Sequence, residues 1–280
     1  AYVGGLGVGL ACLVFDQYVV GFLVTILAIL GSAIFGAIWG IIPGYLQAKR
    51  GSHIVITTIM FNFIAAALMV YLLVNVIIEP GQMSPETRDF ASGVGLVQIH
   101  ILAKYLGLEM AMSPLNLSFI VALTVSVGFW FLVWRTKFGY EVRSLGHSET
   151  AAIYAGIKVS STIIIVMAIS GGLAGLVAIN ELLGVHNKLL LGFTAGYGFT
   201  GIAVALMGRN HPVGIFLASL LFGALYQGGT ELDFEFSSIT REMVLLIQGL
   251  IILFSGALAY MLNPLVERIY IKYYGNYNNA

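Results

Sequence analysis

The chain alternates long apolar blocks with short polar connections. Crossing a bilayer takes roughly 17–25 mostly apolar residues as a helix. Blocks of that kind lie at about 18–46, 54–78, 115–134, 161–180, 189–207, 213–229 and 243–263, and residues 1–15 read as the tail of another. The prolines (Pro43, Pro80, Pro85, Pro114, Pro212 and Pro264) fall at block ends or in connections, where a missing N–H costs little. The pattern predicts an all-α, polytopic transmembrane bundle of eight crossings, the first incomplete. The 18–46 block is long enough to be tilted, kinked or partly re-entrant.

Alternating sides gives the bundle an orientation. One face receives Lys49, Arg50, Arg135, Lys137, Arg143, Lys158, Arg209, Arg268 and Lys272; the other receives Arg88, Lys104, Lys188 and Arg241. Positively charged loops stay in the cytoplasm, so 135–160 and the carboxyl tail are expected inside and 80–113 outside. Acidic residues fall the other way, with only Glu141, Glu149 and Glu267 inside.

Composition narrows the function. Charged residues make up 9% of the chain, against about 25% in soluble domains. The 13 basic and 13 acidic residues cancel, which gives no footprint for nucleic acid. Cys12 stands alone, excluding an intrachain disulfide and a cysteine metal cluster. The five histidines form no HExxH, and no metal or cofactor is expected. There is no GxxxxGK[ST] phosphate loop, so the chain is not itself an ATPase, and no nucleophile–base set marks it as an enzyme. No block carries a central Asp, Glu, Lys or Arg, which argues against an ion-coupled carrier and for energy supplied from outside the bilayer. The opening AYVGGLGVGL has no basic leader and is not a signal peptide; it is expected to follow a missing amino-terminal part.

The segment GHSETAAIYAGI (146–157) interrupts the apolar pattern. Ser148 suits an N-cap, Glu149 the positive end of a helix, and Gly156 its termination. A helix of about seven residues does not stand alone in water. Either it lies on its own bundle as a solvated loop helix, or it docks a partner through Ala151, Ala152 and Ala155, with Ile153 and Tyr154 as anchors. Gly36/Gly40/Gly44, Gly171/Gly175 and Gly192/Gly196 have the spacing of close helix packing, within a subunit or at a seam. Asn62, in mid-block, needs a hydrogen-bond partner on a neighbouring helix or a place on a wet solute path. Thr57, Thr58, Gln248, Tyr197 and Phe199 are similar candidates. In the outer connection, LVQIHILAKYLGLE (96–109) predicts an interfacial helix or a ledge for a docking protein.

TKFGYEVRSLGHSETAAIYAGIKV (136–159) resembles the coupling segment of ABC-transporter permeases of the ribose/simple-sugar and nucleoside type. GAIWGIIPGYLQAKRGSHIVITTIMFNFIA (36–65), ISGGLAGLVAINELLG (169–184) and GFTAGYGFTGIAVALMGRNHPVGIFLASLLFGALYQGG (192–229) match that family in order, the nucleoside-type branch most closely. The resemblance implies a single permease domain over 1–280, in which 148–156 inserts into a separate ATPase. It also implies a second permease subunit, identical or not, an extracytoplasmic solute-binding protein, and a place among the lipids of a bacterial inner membrane. Nucleosides or simple sugars would cross by alternating access, without covalent chemistry. A full-length member has about ten spans of bilayer length, and an Asn-Ile-Gly…Glu-Gly motif that this chain lacks. A secondary carrier or channel, and a branched-chain amino-acid permease, are the competing readings.

Overall fold

The computed structural model describes residues 1–235 except 80, 82, 92, 106 and 108–114, together with 243–251 and 253–254. Helices are α1 Tyr2–Phe15, α2 Gly21–Arg50, α3 Ile54–Leu72, α4 Ile99–Tyr105, α5 Ser118–Arg135, α6 Lys137–His147, α7 Glu149–Tyr154 and α8 Val159–Gly175. They continue with α9 Val177–Ile179, α10 Tyr197–Met207 and α11 Pro212–Glu235. π-Helical stretches Leu73–Ile77 and Asn180–His186 extend α3 and α9. The only strand-like pairings among the described residues are two isolated bridges, Glu86 with Leu190 and Gln98 with Asn116. Among the described residues, five helical segments are long and apolar enough to cross a membrane: 21–50, 54–77, 118–135, 159–186 and 212–235.

Two sequence expectations change. The 18–46 block forms one continuous 30-residue helix, Gly21–Arg50, with Pro43 inside rather than at its end. The 189–207 block is not one continuous helix. Residues 187–196 are non-helical, with Asn187, Gly192, Ala195 and Gly196 all at positive φ. The 11 helical residues that follow reach roughly 16 Å, about half the hydrocarbon thickness. Hydropathy registers the leucines and phenylalanines but not the left-handed backbone that glycine permits.

The chain divides into two compact units, 1–195 and 196–280. In the first, α8 lies directly on α2, backbone against backbone. A methyl group at Gly36 would overlap the Gly171 carbonyl, and one at Gly40 would stand 3.1 Å from the Gly171 Cα. At Gly44 it would press on the Met167 side chain. The glycine spacing therefore serves packing inside the subunit here. Gly192 and Gly196 do not share that role: both have open space around them and sit in turns.

The first unit's core gathers at the end away from α7. Val8 and Cys12 of α1, Val24 and Ala28 of α2, Leu73, and Leu182 with Leu183 are buried there. Over them folds part of the long connection after α3. Phe90 and Val94 enter the core. Thr87 N–H donates to the Leu189 carbonyl (2.9 Å), and the Leu189 N–H donates back to Thr87 Oγ1 (3.0 Å). Arg88 clamps this cap to the α1–α2 turn, its two terminal nitrogens 2.7 and 2.8 Å from the Asp16 carboxylate oxygens. The Asp16 side chain is fully covered while that of Arg88 is 31% exposed. The Arg88 hydrogen bonds hold the Asp16 carboxyl below its ordinary pKa, against the opposing effect of burial. Of the 96–109 segment, residues 99–105 form α4 with Ile101 and Leu102 exposed, and 106, 108 and 109 lie outside the described residues.

In the second unit, α10 and α11 form a hairpin packed through Val204, Ala218 and Phe222. Its turn is tight: a methyl at Gly214 would overlap the Gly208 carbonyl. Residues 243–251 are helical, and Val244 packs on Gly229; the rest of the predicted 243–263 block lies mostly outside the described residues.

Two outcomes follow from this packing. Gly171→Val forces α2 and α8 apart and destabilises the protein by about 1–3 kcal/mol, while Gly146→Ala, in open space on α6, leaves stability within about 0.5 kcal/mol; thermal unfolding in detergent reads both. Asp16→Asn weakens the cap by about 1.5–3 kcal/mol at neutral pH. Because the folded-state pKa of Asp16 is depressed, its contribution is complete above the unfolded carboxylate pKa and fades as pH falls through the folded one. Wild type and Asp16→Asn should therefore converge in thermal stability on acidification below about pH 4.

Candidate coupling surface and solute-path residues

Between α5 and α8 the chain leaves the bundle as two short helices. Thr136 caps the first: its hydroxyl accepts from the Gly139 N–H at 3.1 Å. This amphipathic α6 was missed in the sequence, although a Thr ahead of KFGYEVRSLGH is a readable N-cap signal. Ser148 then serves twice. Its N–H ends α6 on the Ser144 carbonyl (3.1 Å), and its Oγ starts α7 by accepting from the Ala151 N–H (3.3 Å). Glu149 occupies the first turn of α7, where the helix dipole favours a negative charge.

The other end of α7 closes in a Schellman pattern. Ile157 N–H reaches the Ala152 carbonyl (3.0 Å) and Gly156 N–H reaches the Ile153 carbonyl (2.9 Å). Gly156 holds φ +78°, a conformation that an L side chain strains to adopt. A six-residue helix thus has both ends satisfied before any partner arrives.

One expected surface residue faces the other way. Ala152 is 1% exposed and belongs to the packing of the chain itself, whereas Tyr154 is 93% exposed. Ala151, Ile153 and Ala155 are exposed with it. Only a residue as small as alanine lets α7 lie this close to its own bundle, and a helix shorter than two turns shows no sequence period from which the inner face can be read. Beside α7 an open groove of about 610 Å³ runs between the end of α2 (Gln47, Lys49) and the start of α8 (Lys158, Ser160), with Glu149 and Ile153 on its rim. Ser160 Oγ bridges it by donating to the Ala48 carbonyl (3.3 Å).

Thr57, Thr58 and Asn62 lie on α3, with Thr58 and Asn62 one turn apart. The threonine hydroxyls donate to carbonyls of their own helix or its cap, Thr57 to His53 (3.0 Å) and Thr58 to Ile54 (2.9 Å). Asn62 is exposed, and among the described residues its amide has no hydrogen-bond partner on another helix. Its neighbour Phe61 is turned to α2, edge-on to Trp39 at 5.6 Å. Tyr197, Phe199 and Gln248 belong to the second unit. Tyr197 opens α10, Phe199 is exposed two residues on, and Gln248 is buried, so its amide is not offered to a solute in this conformation.

Two polar features were not read from the sequence. Asn116 Nδ2 and Ser118 Oγ both donate to Asn180 Oδ1, at 3.1 and 2.8 Å, tying the start of α5 to the π-helical stretch after α9. Ser32, fully buried in α2, donates to the Gly175 carbonyl at 2.6 Å. Nothing local distinguishes either from a polar residue that bonds within its own turn.

Known proteins resemble the chain over most of its length. It is 35% identical over 246 residues to the guanosine ABC transporter permease protein of Bacillus subtilis, covering 86% of this chain and 68% of that protein. A glucose ABC transporter permease protein of Haloferax volcanii is 31% identical, covering 81% of this chain and 60% of its own length. A nucleoside ABC transporter permease protein of Lactococcus lactis is also 31% identical, over 81% of this chain and 62% of its own length. The chain thus spans roughly two thirds of the relatives it matches. No solved structure matches. Residues 1–256 fit the family model described as branched-chain amino acid transport system / permease component, and the chain belongs to that family of polytopic membrane permeases.

Proposed function

We propose that the protein is the membrane-spanning subunit of an ATP-driven importer, and that it carries nucleosides. The observation that carries this reading is α7: a helix too short to persist alone, capped at both ends and presenting Tyr154 and Ile153 outward. A partner cleft is what such an element fits. ATP hydrolysis belongs to that partner, a separate ABC ATPase. A second permease subunit and an extracytoplasmic binding protein complete the assembly, with 1–280 acting as one permease domain. The family description names branched-chain amino acids, but the relatives above are named for guanosine, glucose and nucleosides, which favours the nucleoside reading.

In this reading the basic end of the bundle, with α6 and α7, faces the cytoplasm of a bacterium, as does the carboxyl terminus, and the Asp16–Arg88 cap faces out. Movement of the ATPase dimer reaches the spans through α7, which packs against the start of α8. Ala151, Tyr154, Ala155 and Ile153 form the docking face, Ser148, Glu149 and Gly156 shape the helix that presents it, and Ala152 joins it to the bundle.

Candidates for the solute path are Thr58 and Asn62 in the first unit and, taken separately, Tyr197 and Phe199 in the second, with Gln248 available only after a rearrangement. An amide in lipid without a partner costs several kcal/mol. With no partner among the described residues, Asn62 suits a position facing water in the path or the second permease subunit. Aromatic rings such as Tyr197 and Phe199 suit the flat base of a nucleoside, and an amide suits its edge.

Two variants test these assignments separately. Tyr154→Ala should weaken ATPase association by about 2 kcal/mol, roughly 30-fold, as for an exposed aromatic anchor. Pull-down from membranes measures it, with Ala152→Arg as the contrasting variant that lowers the yield of folded protein instead. Undiminished association of Tyr154→Ala returns α7 to an ordinary surface helix. Asn62→Leu should lower nucleoside uptake about tenfold or more while the complex still assembles; uptake in whole cells together with subunit co-purification decides, and failed assembly would move Asn62 to the subunit interface.

A further inference from the structure

The threonine hydroxyls in and at the ends of the long helices of the first unit bond backward. Thr25, Thr57, Thr58, Thr124, Thr136 and Thr162 each donate to the carbonyl four residues earlier, the usual way a helix absorbs such a group. Ser32 does not. Its fully buried hydroxyl crosses to α8 and donates to the Gly175 carbonyl at 2.6 Å.

That carbonyl is the one set free where the span changes character. α8 ends at Gly175, and the Ile179 N–H closes a tight turn onto the Leu176 carbonyl (3.1 Å) in place of reaching Gly175. After α9 the backbone runs on as the π-helical stretch Asn180–His186. A buried carbonyl without a donor is costly, and Ser32 supplies the donor from outside the helix.

The two sides of this break have different attachments. Up to Gly175, α8 rests on α2 mainly backbone against backbone at Gly36 and Gly40, with Met167 on Gly44 and one exchanged hydrogen bond, Ser160 Oγ to the Ala48 carbonyl. Beyond it, Asn180 is bonded to Asn116 and Ser118, and the Leu183 carbonyl accepts from the Leu96 N–H (2.8 Å). Leu182 and Leu183 are locked in the core beneath the cap. A helix with a smooth face on one side of a discontinuity and a fixed anchor on the other is built to bend at that point.

We propose that Gly175–Leu176 is the hinge of this span and that Ser32 is its latch. α8 tilts over the glycine face of α2 together with α7, the segment from Val177 onward stays with the cap, and the Ser32 hydroxyl holds the freed carbonyl in the conformation seen here. What drives the hinge rests on the reading of α7 as the ATPase-docking element; the hinge itself does not.

Hydrogen–deuterium exchange on the full-length permease in lipid nanodiscs tests the proposal. In wild type, amides of 177–180 should exchange faster than those of 160–174. Ser32→Ala should raise exchange at 177–180 by about three- to tenfold, the factor that one buried hydrogen bond commands, and leave 160–174 nearly unchanged. Thr124→Ala, which loses only a bond within its own helix, should change neither. Equal exchange on both sides of Gly175 in wild type overturns the hinge. An increase in Ser32→Ala spread evenly over 160–186 overturns the latch. If Ser32→Ala does not insert stably, the wild-type boundary decides alone. A boundary at Gly175 in a protein whose Tyr154→Ala variant still binds the ATPase keeps the hinge and removes its proposed driver.

Discussion

The first unit depends on the backbone contact between α2 and α8. Water does not drive helices together inside a bilayer, because lipid tails are as apolar as leucine. What remains is close van der Waals contact, and glycine alone permits it here: a methyl on Gly40 would overlap the Met167 carbonyl oxygen of α8. The same face continues onto α1, where a methyl at Gly4 would overlap the Gly175 Cα. Gly175 thus stands at the junction of α1, α2 and α8. It is also the residue at which α8 ends.

This contact explains how the two ends of the unit differ. At one end, buried leucines, the Thr87–Leu189 pair of hydrogen bonds and the Asp16–Arg88 ion pair make an interlocked core. At the other, α7 touches the bundle through a residue as small as Ala152, and an open groove separates the end of α2 from the start of α8. Interlocked side chains resist sliding because every displacement costs packing. A glycine face offers less resistance, since few side chains must leave their pockets. The stiff end and the compliant end are joined by one span with a break in it.

Much of this was legible in the sequence, for definite reasons. The blocks that became α2, α3, α5 and the α8–α9 span were readable because length and apolarity are what a bilayer selects. Ser148 and Gly156 announced α7 because capping chemistry is local. The 189–207 block misled because apolarity says nothing of φ, and Gly192, Ala195 and Gly196 turn the chain where leucines promised a helix. Ala152 was assigned to the outer face because six residues are too few for a period to show. Ser32 passed unnoticed because its role lies 143 residues away, on a carbonyl that only the broken helix releases.

Exposure also carries a different meaning here from that in water. α5 has no buried residue, and α3 buries only Ala65 and Met69. In an aqueous protein, faces of Val, Ile and Phe left open in this way would mark an aggregation site or a missing partner. In a membrane, lipid covers them at no cost, so Ile56 or Phe63 says nothing about neighbours. Polar groups reverse the argument. The Thr58 hydroxyl gives its one donor to its own helix and keeps only acceptor lone pairs for what lies outside. The Asn62 amide has two donors and an acceptor that α3 does not satisfy, and hydrocarbon offers them nothing. On a surface where apolar exposure is free, an amide with no partner among the described residues is the group that calls for a polar neighbour, from water, from the rest of the protein or from a second subunit.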